Sequence, residues 1–284
     1  MPDINTHTPL EKHFSAYRTL PALPYVAHDI LISTSSNDVD ITAVAETLAR
    51  EPGLSARIVA VANYAFFKRR ETIYSLEGAI LRIGMNRVRV LATSLILNQL
   101  FDTKGCPEFQ LERYWYDAIS TAFAAARLAA HYAAEYSPDA AYLGGVLHSI
   151  GLPLLVHTFP TTINQVLAEH NQKPESSLAN LTYQALGSDY AEAGSMLLRE
   201  WGLPEPIITV VGNSHSQGYS GAHANLVETI RFTHEWLTHQ FDASQITTTL
   251  QLNHNLLNKI ANHCTNEEES LAAFAELLAH SNDY

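Results

Sequence analysis

A chain of 284 residues with 46% hydrophobic and 16% charged content can bury one large core or two modest ones, which excludes a disordered polypeptide. The net charge of −12 is uneven, +1 over residues 1–104 and −13 over residues 105–284, and the acidic balance opposes nonspecific nucleic-acid binding through the C-terminal part. The opening MPDINTHTPLEKHF has no apolar run after a basic start, and the longest apolar stretches carry Arg, His or Ser too often to span a bilayer, so a cytoplasmic protein with no leader and no membrane contact is expected.

Strand signals are scarce and helical ones plentiful, which predicts an all-α fold. Asp40 can cap a helix through ITAVAETLAR, with Ile41, Val44, Ala45 and Leu48 on one stripe. Pro52-Gly53 breaks it, and LSARIVAVANYAFF follows with Leu54, Ile58, Val61, Ala62 and Ala65 at helical spacing. Ser75 opens a short helix ending near Gly84, and NRVRVLATSLILNQLF forms a longer one. The segment KGCPEF at 104–109 marks a boundary where the charge balance also changes. The expected organisation is a loose segment 1–14, an N-terminal helical subdomain 15–104, and a larger helical bundle 105–284.

Beyond the boundary, LERYWYDAISTAFAAARLAAHYAAEY reads as one long Ala-rich helix, with Trp115 as core. Ser137-Pro138-Asp139 ends it and starts an apolar helix carrying GVLHSIG at 145–151. Further helices are predicted near 161–170, 176–186, 189–201, 204–215, 222–241, 253–263 and 267–280. Cys106 and Cys264 have no CxxC partner and read as unpaired thiols of a reducing compartment. Lys68, Arg69, Arg70, Arg82, Arg87 and Arg89 cluster in the first part, either as solvated helix faces or as a patch steering an acidic partner.

Several segments in order resemble the HDOD domain, a catalytically degenerate relative of the HD phosphohydrolases. They are LPALPYVAHDIL (20–31), EPGLSARIVAVANYAFF (51–67, with Tyr64 where the family usually has serine), SLEGAILRIGMNRVRVLA (75–92), RYWYDAISTAFAA, AYLGGVLHSIG and LGSDYAEAGSMLLREWGLPEPIITVVGNSHS. The resemblance covers about residues 15–240. It implies an HD-like helical bundle preceded by a smaller N-terminal one.

In HD hydrolases, histidines and aspartates from several helices hold one or two divalent cations that activate water against a phosphate ester. The resemblance places Asp117 where the first histidine is usual. His148-Ser149 stands at the His-Asp pair, and Tyr190 and Ser214-His215 at the extra histidines. His234 takes the place of the last aspartate. Asp117, His148, His215 and His234 are therefore the candidate vestigial ligands for Fe, Mn or Zn, competing with a reading of the histidines as hydrogen-bonded core residues. Gly218-Tyr219 lacks the proline and the preceding His-His-Glu of HD-GYP phosphodiesterases and reads as a polar loop. No phosphate-cradling glycine loop is present.

The resemblance implies a standalone, non-enzymatic signalling module that acts in trans on protein partners or answers a small anionic regulator, as a monomer or a homodimer. The alternative is a metal-dependent phosphohydrolase acting on a nucleotide or cyclic dinucleotide. A metal-bound but inactive sensor lies between the two, and nucleic-acid binding by the N-terminal helices ranks last.

Overall fold

The computed structural model describes residues 20–23, 28–30, 41–63 and 72–280. Among these residues the regular structure is fourteen α-helices and one 3-10 turn, with no strand, as the periodicity predicts. The N-terminal set is α1 (Ile41–Ala49), α2 (Pro52–Ala62), α3 (Leu76–Ile83) and α4 (Met85–Leu100). The long α5 (Leu111–Tyr132) leads to α6 (Pro138–Leu147), α7 (Gly151–Thr158), α8 (Pro160–Gln172) and α9 (Leu178–Leu186). Then come α10 (Tyr190–Glu200), α11 (Glu205–Gly212), α12 (Ala224–Thr238), α13 (His254–Asn266) and α14 (Glu268–Ala279).

Helix starts follow from local chemistry. Ser75, Ser137, Ser177, Asp189 and Asn253 each accept a first-turn N–H through a side-chain oxygen, satisfying a donor the helix cannot. Pro52 is not only a breaker: it is the first residue of α2, where its missing N–H costs nothing, so that helix begins before Leu54. Val44, Ala45, Leu48, Ile58, Val61 and Ala62 are buried as their spacing requires. Ala65 and Tyr64 lie outside the described residues.

His148 does not sit within a helix. Residues 148–150 form a turn that separates α6 from α7, although His148 keeps right-handed helical dihedrals. The apolar periodicity runs through the break because both flanking helices are buried. Two glycine contacts fix this corner. A Cβ at Gly145 would lie 2.5 Å from the Ala122 Cα, so α6 presses against α5 backbone to backbone. A Cβ at Gly151 would lie 1.8 Å from the Tyr190 carbonyl oxygen, and α7 crosses α10 just as closely. The stretch Pro138–Thr158 is long and apolar enough to cross a membrane by length and composition alone, yet most of it is buried inside the protein.

One buried cluster runs from Leu48 and Ile58 through Val88, Leu91, Trp115 and Ile119 to Phe274 and Leu278, so the core is continuous across the KGCPEF segment. Polar contacts bind the same helices: the Asn98 amide donates to the Leu278 carbonyl at 2.7 Å, and Trp115 Nε1 to Asn98 Oδ1 at 3.3 Å. Cys106 and Cys264 are buried free thiols, and burial pushes Cys264 up to about 11. The loop holding Gly218-Tyr219 joins α11 to α12, as read from its polarity.

Candidate functional site

The site is built where α5, α12 and α14 meet. Helix α5 packs against α6, α12 and α14, and its small alanines let these neighbours approach. His148 arrives from the α6–α7 turn and His234 from the last turns of α12. Their rings lie 4.7 Å apart between centroids, tilted by 46°. His148 is 3% exposed, and its Nδ1 donates to the Gly145 carbonyl at 2.7 Å, leaving Nε2 as the nitrogen with a lone pair. Burial lowers the pKa of His148, with the Gly145 hydrogen bond opposing. Burial, with the His148 ring beside it, lowers His234 to about 3. Both imidazoles are therefore neutral near pH 7, a state the low-polarity surroundings favour.

His234 lines a cavity of about 440 Å³, which also takes in Asp117. Thr121 and Ser120, both from α5, are buried in it; the Ser120 hydroxyl lies beside the Tyr116 phenol, whereas the Thr121 hydroxyl makes no hydrogen bond. Asp117 is 47% exposed, with Arg113 4.0 Å away one turn earlier. Desolvation still raises its carboxyl to about 6 against the pull of Arg113. At the far rim, Gln240 and Phe241 both adopt left-handed backbone, φ 51° and 67°, although neither is glycine.

His215 is engaged elsewhere. Its Nε2 lies 3.1 Å from Asp189 Oδ2, and its ring contacts Tyr190 at 5.6 Å, both at the start of α10. Burial would raise Asp189, but the hydrogen bond from His215 and those from backbone amides outweigh it and hold the carboxyl low. The structure thus brings His148 to His234, places Asp117 on the cavity with His234, and commits His215 to Asp189. Among the described residues no three His, Cys, Asp or Glu groups lie together as a metal would require. The donor set does not fit a divalent cation: the two meeting imidazoles find no third ligand among the described residues, and Ser149 brings no charge beside His148.

The expected basic patch also changes. Arg89 is 5% exposed between α4 and α6, bonded to Asn86 at 3.2 Å and 3.8 Å from Asp139, so it cannot meet a partner at the surface. The cause is α4 itself, which is buried around most of its circumference. Arg87 pairs with Glu267, the residue joining α13 to α14, at 3.2 Å, and Arg82 leans on the Ala62 carbonyl and Asn63. Lys68, Arg69 and Arg70 lie outside the described residues.

Some site residues escaped the sequence reading. Glu228 and Arg231, one turn apart on α12, form a buried pair at 2.8 Å that also binds Glu235, the Thr247 carbonyl, Thr248 and the Thr249 amide. Burial alone would raise Glu228, but the hydrogen bonds from Arg231, Thr248 and Thr249 hold it below the usual carboxylate range. Ser120 and Thr121 carried one signal, two hydroxyls together at core positions of an otherwise apolar stretch, AISTAFAA.

The HDOD domain model matches residues 20–217, more than half of the chain. The chain belongs to the HDOD domain family. A similar HDOD domain protein of Geobacter sulfurreducens, of unknown function, superposes with TM-score 0.73 at 20% identity, covering 97% of this chain and 99% of that one. A Marinobacter aquaeolei VT8 protein, provisionally named a signal transduction protein, superposes with TM-score 0.82 at 22% identity over 95% of this chain and 61% of that one. A provisionally named phosphohydrolase of Shewanella amazonensis SB2B gives TM-score 0.70 at 22% identity, with 96% and 99% covered. At such identities these likenesses speak for the HDOD fold alone. An uncharacterized Treponema pallidum (strain Nichols) protein is 22% identical over 219 residues, which is 75% of this chain but 41% of that protein. This HDOD chain therefore spans less than two thirds of the Treponema and Marinobacter proteins it resembles.

Proposed function

We propose that this HDOD chain is a non-enzymatic regulatory module of signal transduction that acts by binding protein partners. The observation that carries the reading is the state of the HD position: two neutral imidazoles tilted against each other, a serine in place of the aspartate, and a third histidine tied to Asp189. Generating hydroxide at neutral pH needs a cation held by several converging ligands, and that convergence is missing among the described residues. Tyr74 and Leu81, 88% and 74% exposed on and beside α3, offer apolar surface for a partner next to Arg82.

Metal analysis of protein purified without chelator, paired with a phosphodiester panel, tests this. Substoichiometric Fe, Mn and Zn with no turnover is expected. Stoichiometric metal that disappears in His148→Ala and His234→Ala, accompanied by turnover, would favour the phosphohydrolase reading that the Shewanella protein's name suggests. For the partner itself, a Tyr74→Ser/Leu81→Ser double variant should lose proteins captured by the wild type while melting at the same temperature. Unchanged capture would remove that surface from the proposal.

A further inference from the structure

The cavity beside His234 has a chemistry opposite to that of a phosphate site. No Lys or Arg stands among the described residues that line it, whereas Asp117 and Glu268 both do. Glu268 and the half-open Asp117 lie at the solvent side, and Leu237, Phe241 and Leu271 supply apolar wall. Thr121 is fully buried at the inner end. Buried threonines elsewhere in the bundle satisfy themselves: Thr229 and Thr233 donate to carbonyls four residues earlier, at 2.7 and 2.6 Å. Thr121 makes no such bond, so one fully buried hydroxyl faces the cavity without a partner, with the Ser120 hydroxyl beside it. Carboxylates outside, apolar walls between and the unpaired Thr121 hydroxyl within match a ligand with a cationic head, an apolar stem and a polar end. A cavity of about 440 Å³ is in the range that holds a small metabolite.

We infer that this HDOD cavity binds a small organic ammonium compound, with Asp117 and Glu268 receiving the cation and Thr121 and Ser120 the polar end. The assignment rests on the reading that no metal is held beside His234, because a resident cation would recruit an anion instead. It gives the module a chemical input, distinct from its protein partner.

Three probes of one skeleton test it on the full chain by calorimetry: tyramine, its neutral alcohol tyrosol, and the anion 4-hydroxyphenylacetate. Tyramine should bind tightest and the anion weakest. Asp117→Asn and Glu268→Gln should each weaken tyramine about tenfold, the worth of one charge-assisted hydrogen bond, and leave tyrosol unchanged. Thr121→Val should weaken tyramine and tyrosol alike. Glu268 is exposed, so its variant folds whatever happens at Asp117. Absence of tyramine binding, or an anion that binds as well as the amine, overturns the inference. Metal content of the same sample separates the failures: anion preference with stoichiometric metal defeats the non-enzymatic reading too, and anion preference without metal defeats the ammonium assignment alone.

Discussion

At the scale of single residues, the most deeply buried charges among the described residues are structural. Arg231 and Glu228 are 1% and 3% exposed at their side chains, and their pair is what fastens residues 247–249 across α12. Removing one member leaves the other charge buried without compensation, which costs about 3–5 kcal/mol, whereas replacing both with neutral side chains of similar volume recovers most of that loss. Arg231→Met should therefore lower the urea midpoint by an amount equivalent to about 3–5 kcal/mol, and Glu228→Gln/Arg231→Met by clearly less. In sequence, VETIRFTHEW shows only Glu and Arg three apart on a helix, the usual sign of a solvated face. Burial depends on what packs above, and residues 247–249 come from beyond the helix. The same blindness hid the interior position of Arg89. Trp115 was legible as core because no exposed helix face accommodates an indole of that size at low cost.

Helices were legible where capping and proline chemistry set their ends, and less so where tertiary contacts did. Ser75, Ser137 and Asp189 announce their helices, but the turn at 148–150 has no local signal except the glycines on either side. At Gly151, a β-carbon would run into the Tyr190 carbonyl, so Gly151→Ala should destabilise by about 1–3 kcal/mol or more, overriding the roughly 1 kcal/mol of helix propensity that alanine gains. Chemical denaturation measures it directly, and an unchanged midpoint would mean that α7 and α10 can part freely. The end of α12 gives the converse case. The Phe241 amide donates to the Trp236 carbonyl at 2.8 Å and the Gln240 amide to that of Leu237 at 3.0 Å, the double bond of a Schellman cap. Its left-handed position is normally glycine, and here it is Gln240. Gln240→Gly should raise stability by about 1 kcal/mol, read as a higher melting temperature.

Across the whole molecule, the HD-like bundle was recognisable from its ordered motifs, and the division of charge at residue 104 was real in the sequence. That division does not interrupt the core, because charge reports the surface while Leu91, Trp115 and Phe274 meet inside. The cavity was legible only in part: the resemblance singled out Asp117 and His234, but Thr121, Phe241 and Glu268 join them from three helices and a turn whose proximity only the packing creates. Its titrating groups couple the site to global stability with opposed signs. The folded pKa values of His148 and His234 are lowered, so the unfolded chain binds more protons below its imidazole value of about 6.5, and stability present above that pH drains away as pH falls. Asp117 is raised to about 6, so its contribution is present below about 3.9 and is lost as pH rises through 6. Between pH 6 and 4 the carboxyl therefore offsets part of what the imidazoles lose. Asp117→Asn should melt higher than wild type at pH 7, because no charge is then desolvated in the cavity, and should lose stability more steeply on acidification to pH 4. His234→Phe should flatten the same profile. Melting curves of the three proteins across that range decide the matter, and parallel curves would mean that the cavity does not carry the acid sensitivity of the fold.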